Sequence, residues 1–278
     1  MSVVSMFVHR DADDLQSLRY AAELAKRLDR PLEGVCALPD ATLTSAYFGS
    51  EFVMGVGVIP VQAISDAKSD LIESTKAAFE AAAQEAGVAP DRTVFRKAVG
   101  LVEQIAMDAA VLADTIIFPR NAAKGGASLA QALEAVLMSS RLPLVVAAAE
   151  KIGAGPAIIA WDGSEQAARA IMLHAPLIQA AKSVVIAQGE QGLDKRPGGN
   201  AHETDRLLAW LSDRGVAAEV KALEGPPGKA LLAMARDLDA EMIVCGAYGH
   251  SRAGEMLFGG VTRTLLHAEN APALALAH

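Results

Sequence analysis

A chain of 278 residues with 52% hydrophobic content is too apolar to remain disordered and long enough to fill two α/β cores of modest size. Aromatic residues at 4% provide no stacking platform for single-stranded nucleic acid, and a formal net charge of −8 excludes a global electrostatic footprint for DNA or RNA. An anionic ligand must therefore be held locally, by backbone N–H groups.

In chain order, the first half predicts a strand at 3–8, a helix at 12–28, a strand at 32–38 and a charged helix at 62–86. A strand at 93–98, a helix at 101–111, a strand at 115–118, a helix at 129–139 and a strand at 144–148 follow. The second half repeats this sequence of elements. Its strands are expected at 157–160, 183–188, 218–223, 242–245 and 273–277, and its helices at 165–180, 203–214, 229–238 and 261–267. The strands are short, continuous apolar runs, as expected when helices cover both faces of a sheet. Strict alternation predicts an α/β fold of two tandem doubly wound domains, each a five-stranded parallel sheet.

Internal similarity supports the duplication. Gly87-Val88-Ala89 and Gly215-Val216-Ala217 recur at an offset of about 128 residues, as do Leu142-Pro143 and Ala271-Pro272. Gly153, Gly155 and Pro156 mark a linker, so the domains are expected at 1–149 and 155–278. The copies differ most at 40–61, an apolar, Gly-rich segment with Tyr47, Phe48, Phe52, Met54 and Val58. Its length suits a lid, an interface or a mobile loop.

Cys36 and Cys245 lie in or at the end of apolar strand runs and read as lone buried thiols in a reduced cytosol. Neither joins a CxxC or a Cys/His cluster, so no metal site is expected. The first residues lack the basic region and cleavage site of a signal peptide. The apolar stretch at 52–61 is short and broken by Gly55, Gly57 and Pro60. No membrane span and a cytoplasmic location are expected.

The segment from Cys245 to Thr262 carries the clearest chemistry. It starts at the carboxyl end of a predicted strand, where open α/β sheets bind ligands. Gly246 and Gly249 permit a sharp turn and close backbone approach. Gly259 and Gly260 open the last helix, whose first N–H groups are unpaired and carry the positive end of the dipole. Both loops can direct donors toward one phosphate chain.

This pattern resembles the universal stress protein family, which carries G-x2-G-x9-G-[S/T] at this point of a five-stranded α/β unit and whose members with the motif bind ATP. Gly246, Gly249 and Gly259 match, while Gly260 stands where the family has Ser or Thr. The resemblance also implies that Asp162, in Trp161-Asp162-Gly163-Ser164, meets the adenosine portion of the nucleotide. Gly163, Val261 and Thr262 complete the expected nucleotide-binding set, with His250 and Arg252 following the glycine turn. The cofactor implied is ATP with Mg2+.

Each residue also has a structural reading. Asp162 and Ser164 suit the cap of the following helix. Gly246 and Gly249 suit an ordinary turn, and His250 and Arg252 a solvated loop. Trp161 suits core packing, although its ring could flank an adenine. The first copy departs from the motif. Pro119 occupies the place of Gly246, Gly125-Gly126 do not align with both glycines, and His9 falls near the Asp162 position. That half reads as a degenerate copy without nucleotide.

No catalytic residue is expected. Gly225-Pro226-Pro227-Gly228-Lys229 has two residues where a P-loop needs four between its glycines, and Ala230 replaces the Ser or Thr. Gly55-Val56-Gly57 lacks the third glycine of a dinucleotide fingerprint, and G-x-S-x-G and HExxH are missing. The expected function is ATP binding in the C-terminal half for a non-catalytic stress-response or signalling role. A nucleotide-free interaction protein is the alternative, and a slow ATPase the weaker one. By the resemblance, the two halves are expected to pair within the chain, as single-domain members pair between chains. A homodimer and an unidentified protein partner remain open, with neither nucleic acid nor membrane as partner.

Overall fold

The computed structural model describes residues 2–7, 12–39, 61–124, 128–148, 153–189, 202–247 and 260–278. They form two compact units, Met1–Val136 and Leu137–His278.

In the first unit, β1 (Val3–Phe7), β2 (Leu32–Pro39), β3 (Thr93–Gly100) and β4 (Thr115–Phe118) make a parallel sheet in the order β3-β2-β1-β4. Val3 pairs with both Leu32 and Thr115, and Leu32 with Thr93. Every residue of β1 and β4 is buried, which accounts for their largely apolar sequence, with Ser5 and Thr115 the polar exceptions. The connecting helices are α1 (Ala12–Arg27), α2 (Val61–Ala86), α3 (Val102–Ala110) and α4 (Ser128–Glu134). α1 carries Asp13 and Asp14 in its first turn and Lys26 and Arg27 in its last, complementing the helix dipole at both ends.

Packing of α2 onto the sheet depends on a missing side chain. A Cβ on Gly34 in β2 would stand 2.7 Å from the Phe79 ring, so the glycine gives that ring its place. Phe79 is fully buried and lies 5.8 Å from Phe95, which in turn lies 6.0 Å from Phe7. These centroid distances are typical of favourable aromatic pairs.

After α4 the chain continues through a π-helical turn, Ala135–Ser140, into β5 (Leu144–Val146). β5 falls in the second unit, where it runs antiparallel to β10 with Val145 opposite Ala275. The second unit also contains β6 (Pro156–Trp161), β7 (Ser183–Gly189), β8 (Ala218–Leu223), β9 (Met242–Gly246) and β10 (Ala273–Ala277). These five are mutually parallel in the order β8-β7-β6-β9-β10. The second unit thus holds five mutually parallel strands, with β5 antiparallel to β10.

Its helices are α5 (Glu165–Leu173), α6 (Ala175–Gln179), α7 (His202–Ser212), α8 (Pro227–Asp237) and α9 (Gly260–His267). The single helix expected at 165–180 is two, because Pro176 has no N–H to continue α5 and instead sits in the first turn of α6. At the break, His174 is buried and its Nε2 lies 3.1 Å from the Leu276 carbonyl on β10. Burial lowers its pKa to about 4, with the Leu276 contact opposing, so the ring is neutral and Nε2 donates.

The start of β6 is clamped. The Gly155 N–H donates to the Glu241 carboxylate at 2.8 Å, and the Glu241 N–H donates to the Pro156 carbonyl at 2.9 Å. Both cysteines are free and buried, Cys36 on β2 and Cys245 on β9, as expected from the sequence. Desolvation, aided by the negative charge of Asp14 and of Asp162 respectively, pushes their pKa values up to about 11 and about 12. Among the described residues, no helix is long and apolar enough to cross a membrane.

Candidate functional site

The parallel strands of the second unit reverse direction of winding between β6 and β9. From β6 the chain winds through β7 to β8, whereas β9 leads to β10 on the other side. That reversal is the switch point of the sheet, the place where open α/β sheets bind ligands at their carboxyl edge. Ile159 pairs with Val244, so continuing the register sets Trp161 opposite Gly246. Asp162 and Ala247 follow side by side at that edge.

At the end of β6, Asp162 is exposed and turns the chain. Its Oδ1 accepts the Ser164 N–H at 2.9 Å, and Gly163 takes φ 69°, a conformation that favours glycine. Ser164 then caps α5, its Oγ accepting the Ala167 N–H at 3.1 Å. The capping role read from the sequence is present for both residues.

Gly246, at the end of β9, serves packing. A Cβ there would lie 2.6 Å from the Ala167 nitrogen and 2.6 Å from the Gln166 carbonyl carbon, both backbone atoms of α5. The absent side chain lets α5 pack against β9 rather than opening a path to a ligand. Ala247 is also engaged. Its N–H donates to the Ala277 carbonyl at 2.9 Å, and its carbonyl accepts from His278 Nδ1 at 3.0 Å. Arg169 donates to the His278 carbonyl at 2.7 Å, so α5, β9 and the end of β10 are tied together at this edge. Sequence reasoning did not single out Arg169 or His278, which are separated by more than a hundred residues.

The opening of α9 differs from Gly246 in its surroundings. Gly260 is exposed, and a Cβ on it would meet nothing within 4 Å among the described residues. Its carbonyl accepts the Thr264 hydroxyl at 2.8 Å. Val261 is half-buried, while Thr262 is 4% exposed and directs its side chain into the core. What the first turn can offer a ligand is its backbone N–H groups, the donors expected at a helix start. Gly249, His250, Arg252 and Gly259 lie outside the described residues, as do His9, Gly125, Gly126 and the 40–60 segment.

The corresponding edge of the first unit is built differently. After β4, Pro119 leads into Arg120, which is 4% exposed and whose pKa burial lowers to about 10, opposed by the charge of Asp13. Asp14 in the first turn of α1 is also buried. A guanidinium and acidic side chains thus stand where the second unit has a glycine and an open turn.

The second unit is thus an open, doubly wound parallel α/β domain with its switch point between β6 and β9. Residues 156–276, within the second unit, match the model of the universal stress protein family. The fold extends further. A universal stress protein from Archaeoglobus fulgidus is similar at a TM-score of 0.66 and 14% identity, covering 99% of this chain and 97% of its own. A universal stress protein from Pseudomonas aeruginosa is similar at a TM-score of 0.52 and 14% identity, covering 99% and 92%. At such identity these likenesses speak to the fold. No curated protein matches the chain.

Proposed function

We propose that the second unit binds an adenine nucleotide, ATP with its Mg2+, and that the protein serves a non-catalytic stress-response or signalling role in the cytoplasm. The observation that carries this reading is the juxtaposition at the β6/β9 edge. An exposed carboxylate, Asp162, follows one strand, the neighbouring strand leads in sequence to the Gly246–Gly259 segment, and α9 opens at Gly260, where a Cβ would meet no described residue within 4 Å. A carboxylate accepts from ribose hydroxyls or an exocyclic amine, and a helix start donates to phosphate, so the two ends suit the two ends of a nucleotide. The family's motif adds Gly249, Gly259 and the neighbouring His250 and Arg252 to the phosphate side. Among the described residues no cluster of three or more His, Cys, Asp or Glu could hold a metal. Mg2+ would accordingly arrive on phosphate oxygens and water.

The domains proposed to act are 1–149 and 155–278, with one nucleotide per chain in the second. Equilibrium binding should saturate near one equivalent of ATP. Asp162→Asn retains an oxygen for the Ser164 N–H but removes the charge, and should weaken binding by about 1–3 kcal/mol while leaving stability unchanged. Gly249→Val, which places a branched side chain on the phosphate path, should abolish it. Absence of binding by the wild type, or two equal sites per chain, would overturn the reading.

A nucleotide-free interaction protein is the second reading. It is favoured by Gly246 packing on α5 and by the Asp162 turn, both of which account for these residues without any ligand. Isolation of the protein with no nucleotide attached, together with a silent ATP titration, would select it.

A further inference from the structure

A cleft of about 290 Å3 opens between α5 and α7, beside the end of β6. Trp161, Ile171 and Leu207 are its buried apolar residues, Ala168 and Ile171 form the α5 wall, and Met172 and Trp210 stand at the rim. Both tryptophans of the chain line this one cavity, in a protein whose aromatic content is only 4%. It shares Gly163 with the residues assigned to nucleotide and is otherwise separate from them.

The walls specify what would fit. Trp161 is 9% exposed, and its ring N–H has no acceptor among the described residues. The Arg214 guanidinium lies 3.8 Å over the Trp210 ring, which fixes that indole and stacks a cation on it. Met172 is 57% exposed, unusual for a large apolar side chain, and its flexible thioether adapts to flat rings. Ala168 is the small residue facing this space; a larger side chain there would close it. Two charges line the cleft on opposite walls, Glu165 on α5 and Arg206 on α7. Arg206 has no hydrogen bond or ion pair among the described residues. The Glu165 carboxylate repels an anion from the α5 side and turns it toward Arg206.

We propose that this cleft is a binding site for a small, flat aromatic carboxylate, its ring held among Trp161, Met172 and Trp210 and its anion facing Arg206. The volume is at the low end of ligand pockets, roughly 300–1,000 Å3, and suits a single or fused ring rather than a nucleoside triphosphate. Apolar contact supplies the attraction, and the guanidinium selects the charge.

Phenylacetate is a suitable probe, titrated into the full chain while the emission of Trp161 and Trp210 is followed. The neutral 2-phenylethanol and the non-aromatic cyclohexylacetate serve as comparators. Phenylacetate should bind saturably and more tightly than either. Arg206→Gln, an exposed substitution, should weaken phenylacetate about tenfold and leave 2-phenylethanol unchanged. Ala168→Phe should remove binding of both, with Ala168→Leu as the milder filling if the first fails to fold by circular dichroism. Asp162→Asn should leave phenylacetate binding intact, which separates this site from the nucleotide reading whether or not ATP binds. Absence of saturable binding, or binding insensitive to both Arg206→Gln and the filled cleft, would overturn the proposal. So would equal binding of cyclohexylacetate, or loss of phenylacetate binding in Asp162→Asn.

Discussion

Gly246 and Gly260, at the two ends of one segment, face opposite constraints. A methyl group on Gly246 would press into the backbone of α5 at 2.6 Å, and backbone cannot rotate aside as a side chain can. Gly246→Ala should therefore destabilise the second unit by about 1–3 kcal/mol, read as a lower urea midpoint with or without nucleotide. A midpoint equal to that of the wild type would refute the packing role. A methyl on Gly260 would meet open space, so Gly260→Ser should leave the midpoint within about 0.5 kcal/mol. If ATP binds here, the added hydroxyl should tighten it by roughly tenfold, measured by calorimetry. Weaker binding by Gly260→Ser would contradict the proposed phosphate position. The sequence presents both residues as loop glycines, because the atoms that distinguish them belong to Gln166 and Ala167 on a remote segment. Position along the strand was legible there; the reason for the glycine was not.

At the scale of elements, the alternation of strands and helices was legible because buried parallel strands leave short, mainly apolar runs, as in β1, β4 and β9. The break between α5 and α6 was signalled by Pro176 but hidden by the apolar periodicity on both sides of it. His174 at that break couples the helices to β10 and gives the second unit a pH dependence. Its folded pKa, about 4, lies below the usual value of 6.5. Between those values the unfolded chain binds a proton that the folded one does not, so stability is full above about pH 6.5 and falls as pH drops toward 4. The loss should reach about 3 kcal/mol at the lower end, an order-of-magnitude figure from the shift. Urea midpoints compared between wild type and His174→Gln across this window would show a flatter profile in the variant. Parallel profiles would assign the acid sensitivity to other groups.

For the whole molecule, the repeat was legible because each half had to rebuild the same buried sheet, and Gly87 and Gly215 still close equivalent helices at φ 75° and φ 74°. The difference in build between the halves at the carboxyl edge was legible only in part. Pro119 announced that the first copy had lost the motif, but the burial of Arg120 and Asp14 at that edge depends on contacts between α1 and the turn after β4. The candidate edge of the second unit rests on strand order, which alternation constrains, and on the Asp162 turn, which Asp-Gly-Ser encodes locally.

The two thiols fall one to each unit, Cys36 on β2 and Cys245 on β9, 1% and 4% exposed. With pKa values raised to about 11 and about 12, neither offers appreciable thiolate near neutrality. Alkylation must therefore wait for the surrounding strands to part, and the native sequence carries a clock in each unit without any added label. Iodoacetamide labelling read peptide by peptide should proceed far more slowly than for an unfolded control. The two rates should climb independently with urea, each reporting how often its own sheet breathes. Labelling of either cysteine at the unfolded rate in native buffer would show that its strand is already open to solvent.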